Sequence, residues 1–243
     1  MTKSTTTTLA AGSEKKTTFA ESVHVRSVYS ADAGGDAAIK KPARTALALL
    51  WLLELDWDDS LAPVSEFCAE ERTLLKTQLE KKINSPMTSS MGRLFDAAAA
   101  LAGVRQTVNY EAQAAIEFEA LADPDEDGIY HFERGQNKIQ VRSAVEALVA
   151  DSLAGVPIPV ISARFHNGLA QLALEISQDL RVAENINEVA LSGGVWQNIT
   201  LLRRTLSLLE NDGFVVYIHH QVPTNDGGLS LGQAAIAAAR IQG

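Results

Sequence analysis

The stretch Glu188–Asn198, EVALSGGVWQN, decides how the last third of the chain folds. A short apolar strand, Glu188–Leu191, delivers the backbone to Ser192, Gly193 and Gly194, and helical periodicity then runs from Val195 to Glu210. Glycine lacks Cβ, so backbone at Gly193 and Gly194 can come close to a ligand, and a helix N-terminus offers N–H groups to anionic or polar atoms. Asn198 can present both a donor and an acceptor to a base or ribose. The spacing fits equally well a tight strand-to-helix turn with a surface asparagine.

The same grammar returns downstream. Phe214–His219 reads as a strand and Gly228–Arg240 as a helix, joined by a loop that ends in Pro223–Gly228, PTNDGG. Asp226 either caps the helix, worth about 1 kcal/mol, or serves as a hard oxygen ligand for a divalent cation, with the glycines leaving space for it. One carboxylate cannot hold a metal alone. Two strand–loop–helix units in succession predict a parallel or mixed sheet with helices packed on it.

Upstream, helix dominates. A helical pattern starts at Asp36, takes Pro42 in its first turn and carries the apolar run Ala46–Leu55 to a stop at Asp56, Asp58 and Asp59. That run is about half the ~20 residues needed to cross a bilayer, so it reads as a buried core helix. Further helices are predicted over Ser65–Ile83 with Ser65 as N-cap, Ser89–Ala102 ended by Gly103, Tyr110–Ala122, Ser143–Ala154 and Pro159–Leu180. A hairpin of Ile129–Phe132 with Lys138–Val141 around Gly135 interrupts them. Arg93 and Asp96 fall on one helix face, where they form an ion pair or contact phosphate. The acidic run Asp123, Asp125, Asp127, Gly128 matches the start of a calcium loop, but Arg134 stands where the closing glutamate belongs, so it reads as a surface turn. No linker divides residues 30–243, and Thr-rich residues 1–22 read as a disordered tail.

The composition sets limits on function. With 243 residues, 46% of them hydrophobic, the chain can bury one sizeable core or two small ones. A formal net charge of -9 without a basic cluster argues against a nucleic-acid partner. Cys68 is the only cysteine, which excludes an internal disulfide and a cysteine metal cluster. No apolar signal-peptide core or membrane span is present, so a reducing, cytoplasmic setting without a membrane partner is expected.

The segments GGDAAIKKPAR (Gly34–Arg44), TSSMGRLFD (Thr88–Asp96), YEAQAA (Tyr110–Ala115), RFHNGLA (Arg164–Ala170), LSGGVWQN and PTNDGGLSLGQAAIAA occur in the order of one family. From about residue 23 to the end the chain resembles the carbamoyl-transfer domain of the hydrogenase-maturation carbamoyltransferase HypF, itself similar to the universal tRNA threonylcarbamoyl transferases. The resemblance implies a helix-rich α/β fold, the second lobe of an actin/Hsp70-like (ribonuclease H-like) nucleotide-binding fold with the first lobe missing. It implies a carbamoyl adenylate made from ATP, a divalent metal (zinc or iron), and transfer of carbamoyl to the C-terminal cysteine of a HypE-like acceptor. Carried across, Gly34, Gly35, Gly193, Gly194 and Asn198 would contact the adenylate and Asp226 would be one metal ligand. The family's H-x-x-x-H metal pair is absent: His24, His131, His166, His219 and His220 offer no pair at that spacing. His166, single on its helix, reads as structural. The other reading is a non-catalytic half-domain that binds nucleotide weakly, self-associates, or docks on a separate chain carrying the first lobe.

Overall fold

The computed structural model of the chain describes residues 29–30, 40–135 and 139–242. Gly34, Gly35, His24 and the tail expected over residues 1–22 lie outside them. The chain forms two compact units, Val25–Leu172 and, apart from N-terminal residues outside the description, Ala173–Gly243. The division falls inside a helix, Ile158–Glu184.

In the first unit, β1 (Tyr29–Ser30) pairs antiparallel with the later β2 (Met87–Thr88). Helix α1 (Pro42–Leu52) has Pro42 at its start, where a missing N–H costs nothing. Its run Thr45–Leu50 is buried all round, as expected of a core helix. It ends earlier than Leu55, because Glu54 takes a left-handed turn at φ 53°. The single helix expected over Ser65–Ile83 is in fact two, α2 (Ala62–Ser65) and α3 (Ala69–Glu80). Ser65 closes the first rather than capping the second. The N-cap of α3 is Cys68, whose N–H donates to the Glu71 carboxylate at 3.0 Å, half of a capping box. That hydrogen bond holds the Glu71 carboxyl below its usual pKa.

Helix α4 (Met91–Leu101) is capped by Ser90, whose Oγ accepts from the Arg93 N–H. Its alanines, Ala97 to Ala100, are buried and let it pack closely on α1. After α5 (Gln113–Ala120), Ile129–Phe132 is not a strand: the hairpin is made by β3 (Glu133–Arg134) and β4 (Ile139–Gln140). Tyr130 and Phe132 are buried instead, and the Tyr130 N–H donates to the Arg164 carbonyl at 3.1 Å. Helix α6 (Arg142–Leu153) leads to α7 (Ile158–Glu184), which continues into the second unit.

The second unit is a β–α–β element with a final helix. β5 (Glu188–Ala190), α8 (Ile199–Asn211) and β6 (Val215–Tyr217) place two strands in parallel, with Ala190 opposite Tyr217. Leu174, Leu191, Leu209 and Phe214 form its buried core, with Val189, Trp196, Leu206 and Val216 packed against them. Arg181 of α7 pairs with Asp212 and lies over the Phe214 ring, 4.2 Å from its centre, pinning the turn into β6. Only alternate strand residues face this core; Val215 and Tyr217 are half exposed. Helix α9 (Leu229–Gln242) follows, with Leu229 and Leu231 open to solvent.

Candidate functional site

Parallel strands deliver their carboxyl ends to one edge, and in open α/β sheets the crevice beyond those ends is where ligands bind. Here the backbone pairing extends one step past the strands, the Leu191 N–H donating to the Tyr217 carbonyl at 2.9 Å. Beyond it the loops remain tied. The Gly193 N–H donates to the Thr224 carbonyl at 2.9 Å, and Thr224 Oγ1 donates back to the Gly193 carbonyl at 3.1 Å. His219 Nε2 lies 2.9 Å from Ser192 Oγ. A Cβ placed on Gly194 would lie 3.8 Å from Asn225 Cβ, so the two glycine-bearing loops expected from sequence do meet.

Gly193 has φ 113°, a backbone that a residue with a side chain adopts only under strain. Its chain neighbours apart, no atom lies within 4 Å of where its Cβ would be, so the glycine serves conformation and the space there is open. The expected helix from Val195 starts instead as a 3₁₀ turn, Gly194–Gln197, and becomes α-helical at Ile199. Asn198 stands at the junction as N-cap, its Oδ1 accepting from the Leu201 N–H at 2.8 Å. The acceptor half of its amide is therefore used by the fold.

The second loop is built in the same way. Asn225, not Asp226, is the cap: its Oδ1 accepts from the Gly227 N–H at 3.0 Å, and Asp226–Gly228 form a 3₁₀ turn before α9. Gly228 is required by space, since a Cβ there would come 2.5 Å from the Pro223 carbonyl oxygen. Asp226 is exposed, and among the described residues no three His, Cys, Asp or Glu side chains come together to hold a metal. The donor set described therefore does not fit a metal by itself.

The other residues singled out from sequence belong to the first unit. His166 is fully buried among Phe95, Phe118 and Phe165, and its Nδ1 is 2.7 Å from the Ser162 carbonyl, as a structural histidine would be. Arg93 and Asp96 do pair, at 3.0 Å. Burial raises the Asp96 pKa to about 6; Arg93 opposes the shift and Glu111 adds to it. The remainder of RFHNGLA clamps the acidic loop. Arg164 bonds Asp151 at 2.9 Å and Glu126 at 3.4 Å, and Asn167 Nδ2 donates to the Glu126 and Gly128 carbonyls. Gly168 leaves no room for a Cβ against the Tyr130 carbonyl.

The model of the family "Carbamoyltransferase, Kae1-like Domain, second subdomain" matches residues 14–233. The chain belongs to this family. It is 34% identical over 219 residues to the carbamoyltransferase HypF of Synechocystis sp., covering 82% of this chain and 28% of that protein. It is 32% identical to a carbamoyltransferase HypF homolog of Cupriavidus necator, covering 84% of this chain and 54% of that one. A full-length HypF solved in a phosphate- and nucleotide-bound form superposes with a TM-score of 0.82 at 36% identity, covering 90% of this chain and 29% of that chain. The chain thus spans only part of the length of the relatives it matches. The HypF resemblance read from ordered motifs is borne out, and with it a helix-rich α/β Kae1-like subdomain. No described helix is long and apolar enough to cross a membrane. Ser192, His219, Thr224 and Asn225 tie the candidate site together, and sequence reading did not assign them. Ser192 and His219 meet because each stands two residues past the paired residues Ala190 and Tyr217.

Proposed function

We propose that this subdomain is the second lobe of an actin/Hsp70-like fold and binds the adenosine end of a carbamoyl adenylate at the joined loops of its second unit. The observation that carries the reading is the reciprocal Gly193–Thr224 bonding, which fixes two glycine-bearing loops at the carboxyl ends of a parallel strand pair. Gly193, Gly194 and Asn198 line the adenosine side; Gly34 and Gly35 are proposed to reach the same ligand. The reaction proposed is attack by a cysteine thiolate of a HypE-like acceptor on the carbamoyl carbon, forming a C–S bond as the C–O bond to phosphate breaks and AMP leaves. This chain's part is to hold and orient the nucleotide, and no described side chain is assigned as nucleophile. Asp226 is proposed to give one oxygen to a divalent ion whose other donors lie outside the described residues; no step here is routed through that ion.

A second reading has its own observation. β6 exposes Val215 and Tyr217, and the first turn of α9 exposes Leu229 and Leu231. Parallel sheets are ordinarily covered on both faces. A half-domain that self-associates or docks on a chain carrying the first subdomain would cover them.

A thermal shift with AMP and a divalent cation tests the nucleotide claim. Ligand at about a hundredfold over Kd should raise Tm by roughly 5 °C or more. Asn198→Ala should lose the AMP effect, and Asp226→Ala only the added effect of the cation. No shift in the wild-type chain would show that it does not bind nucleotide by itself.

A further inference from the structure

An exposed serine–histidine hydrogen bond contributes little stability in water, and it orders two side chains to gain it. The pair formed by Ser192 and His219 is exposed and spans loops that the Gly193–Thr224 bonds already tie together. The fold has no need of it there. It sits where the chain leaves two parallel strands, next to the open space at Gly193. A hydroxyl held in place by an imidazole at such a point is built to meet something.

The donor inventory says what. A neutral imidazole with its proton on Nε2 donates to Ser192 Oγ, and the serine's own proton then points elsewhere, toward an acceptor. An anionic oxygen is the acceptor that gains most from such a donor, because hydrogen bonds to charged groups are shorter and stronger than neutral ones. The opposite tautomer, with Nε2 accepting from the serine, would consume that proton and leave only lone pairs facing the crevice.

We infer that Ser192 is a binding hydroxyl for a phosphoryl group and that His219 is its positioning residue, an assignment that rests on the nucleotide reading above. Ser192 donates to a phosphate oxygen; His219 touches no ligand and acts only by fixing the hydroxyl. The ligand chemistry is a phosphate monoester, or the free ion, presented at the loop Ser192–Gly194.

Two measurements on the full chain test this. Long-range ¹H–¹⁵N spectra of the unliganded protein should show His219 protonated on Nε2; protonation on Nδ1 alone overturns the assignment without any ligand. Calorimetric titration with AMP, adenosine and inorganic phosphate then separates the sources. Ser192→Ala should weaken AMP and phosphate about tenfold, the loss of one charge-assisted hydrogen bond, and leave adenosine unchanged. His219→Ala should weaken AMP similarly, His219→Gln, which keeps an N–H donor, should restore most of it, and the double variant should be no worse than Ser192→Ala. Equal affinity of the wild type for AMP and adenosine, or additive effects in the double variant, would overturn the pair while leaving the nucleotide reading intact. Binding of none of the three ligands overturns both.

Discussion

In Val25–Leu172 the run from Thr45 to Leu50 is buried residue after residue, whereas in Ala173–Gly243 the strands show only alternate side chains to a core. In the first unit the buried His166 and Tyr130 find partners in Ser162 and Asp151, and the partly exposed Arg164 pairs with Asp151 and Glu126. The second spends its hydrogen bonds on tying two loops together and leaves Val215, Tyr217, Leu229 and Leu231 uncovered. One unit is built around a helix buried all round, and the other around a short strand pair with one side chain in two turned to its core. The proposed nucleotide site falls on the second of these units.

The largest expected effect breaks the self-sufficient side. Phe165 packs edge-on against Phe95 at 5.1 Å between ring centres, and also against Phe118 and Phe132, with almost no exposure. Phe165→Ala should cost ~3–5 kcal/mol, by loss of transfer energy and a cavity that the surrounding rings cannot fill. Denaturant unfolding monitored by hydrogen exchange should show the loss in amides of α1 and α4. A loss confined to β5 and β6 would mean that the contrast between the units has been drawn wrongly.

Phe165 also shows what a sequence can reveal. The helices α1, α4 and α7 were legible because apolar spacing, Pro42, Pro159 and Gly103 each act locally. The break between α2 and α3 was not, because its cap is a cysteine, outside the usual capping set, with Glu71 reaching back to the Cys68 N–H. Ile129–Phe132 has the composition of a strand, yet its apolar side chains are used to pack Tyr130 and Phe132 into the core, so packing overrode propensity. In the site, the glycine loops were readable from their chemistry, and the family followed from their order. The pairing of Ser192 with His219 was not, since it depends on strand register, and register is a long-range property.

Asp96 sharpens the comparison from the electrostatic side. The first unit tolerates a buried carboxylate, but at a cost that its pKa, raised from 3.8 to about 6, makes measurable. A carboxyl whose folded pKa lies above its unfolded value favours the fold when protonated. Its contribution is complete below about pH 3.8 and is lost as pH rises through about 6. The shift corresponds to ~3 kcal/mol. Asp96→Asn removes the titration, so wild-type stability relative to the variant should fall by about that amount between roughly pH 3.5 and pH 7, measured by denaturant melts. A constant difference across that range would place Asp96 in a far more hydrated setting than its burial implies.

The smallest effect decides the most about the open unit, because there one residue has two candidate duties. Asn198 accepts the Leu201 N–H, and losing that cap should cost ~1 kcal/mol. Asn198→Ala removes cap and amide together, so a lost AMP response could reflect either one. Serine is as good an N-cap as asparagine but carries no amide N–H. Asn198→Ser should therefore keep the melting temperature within about 1 °C of wild type, since little capping energy is lost. If Asn198 contacts the adenosine, the serine variant should still lose most of the AMP-induced shift. If the shift survives in Asn198→Ser, the asparagine is there for α8 alone, and the adenosine must be recognised by backbone at Gly193 and Gly194.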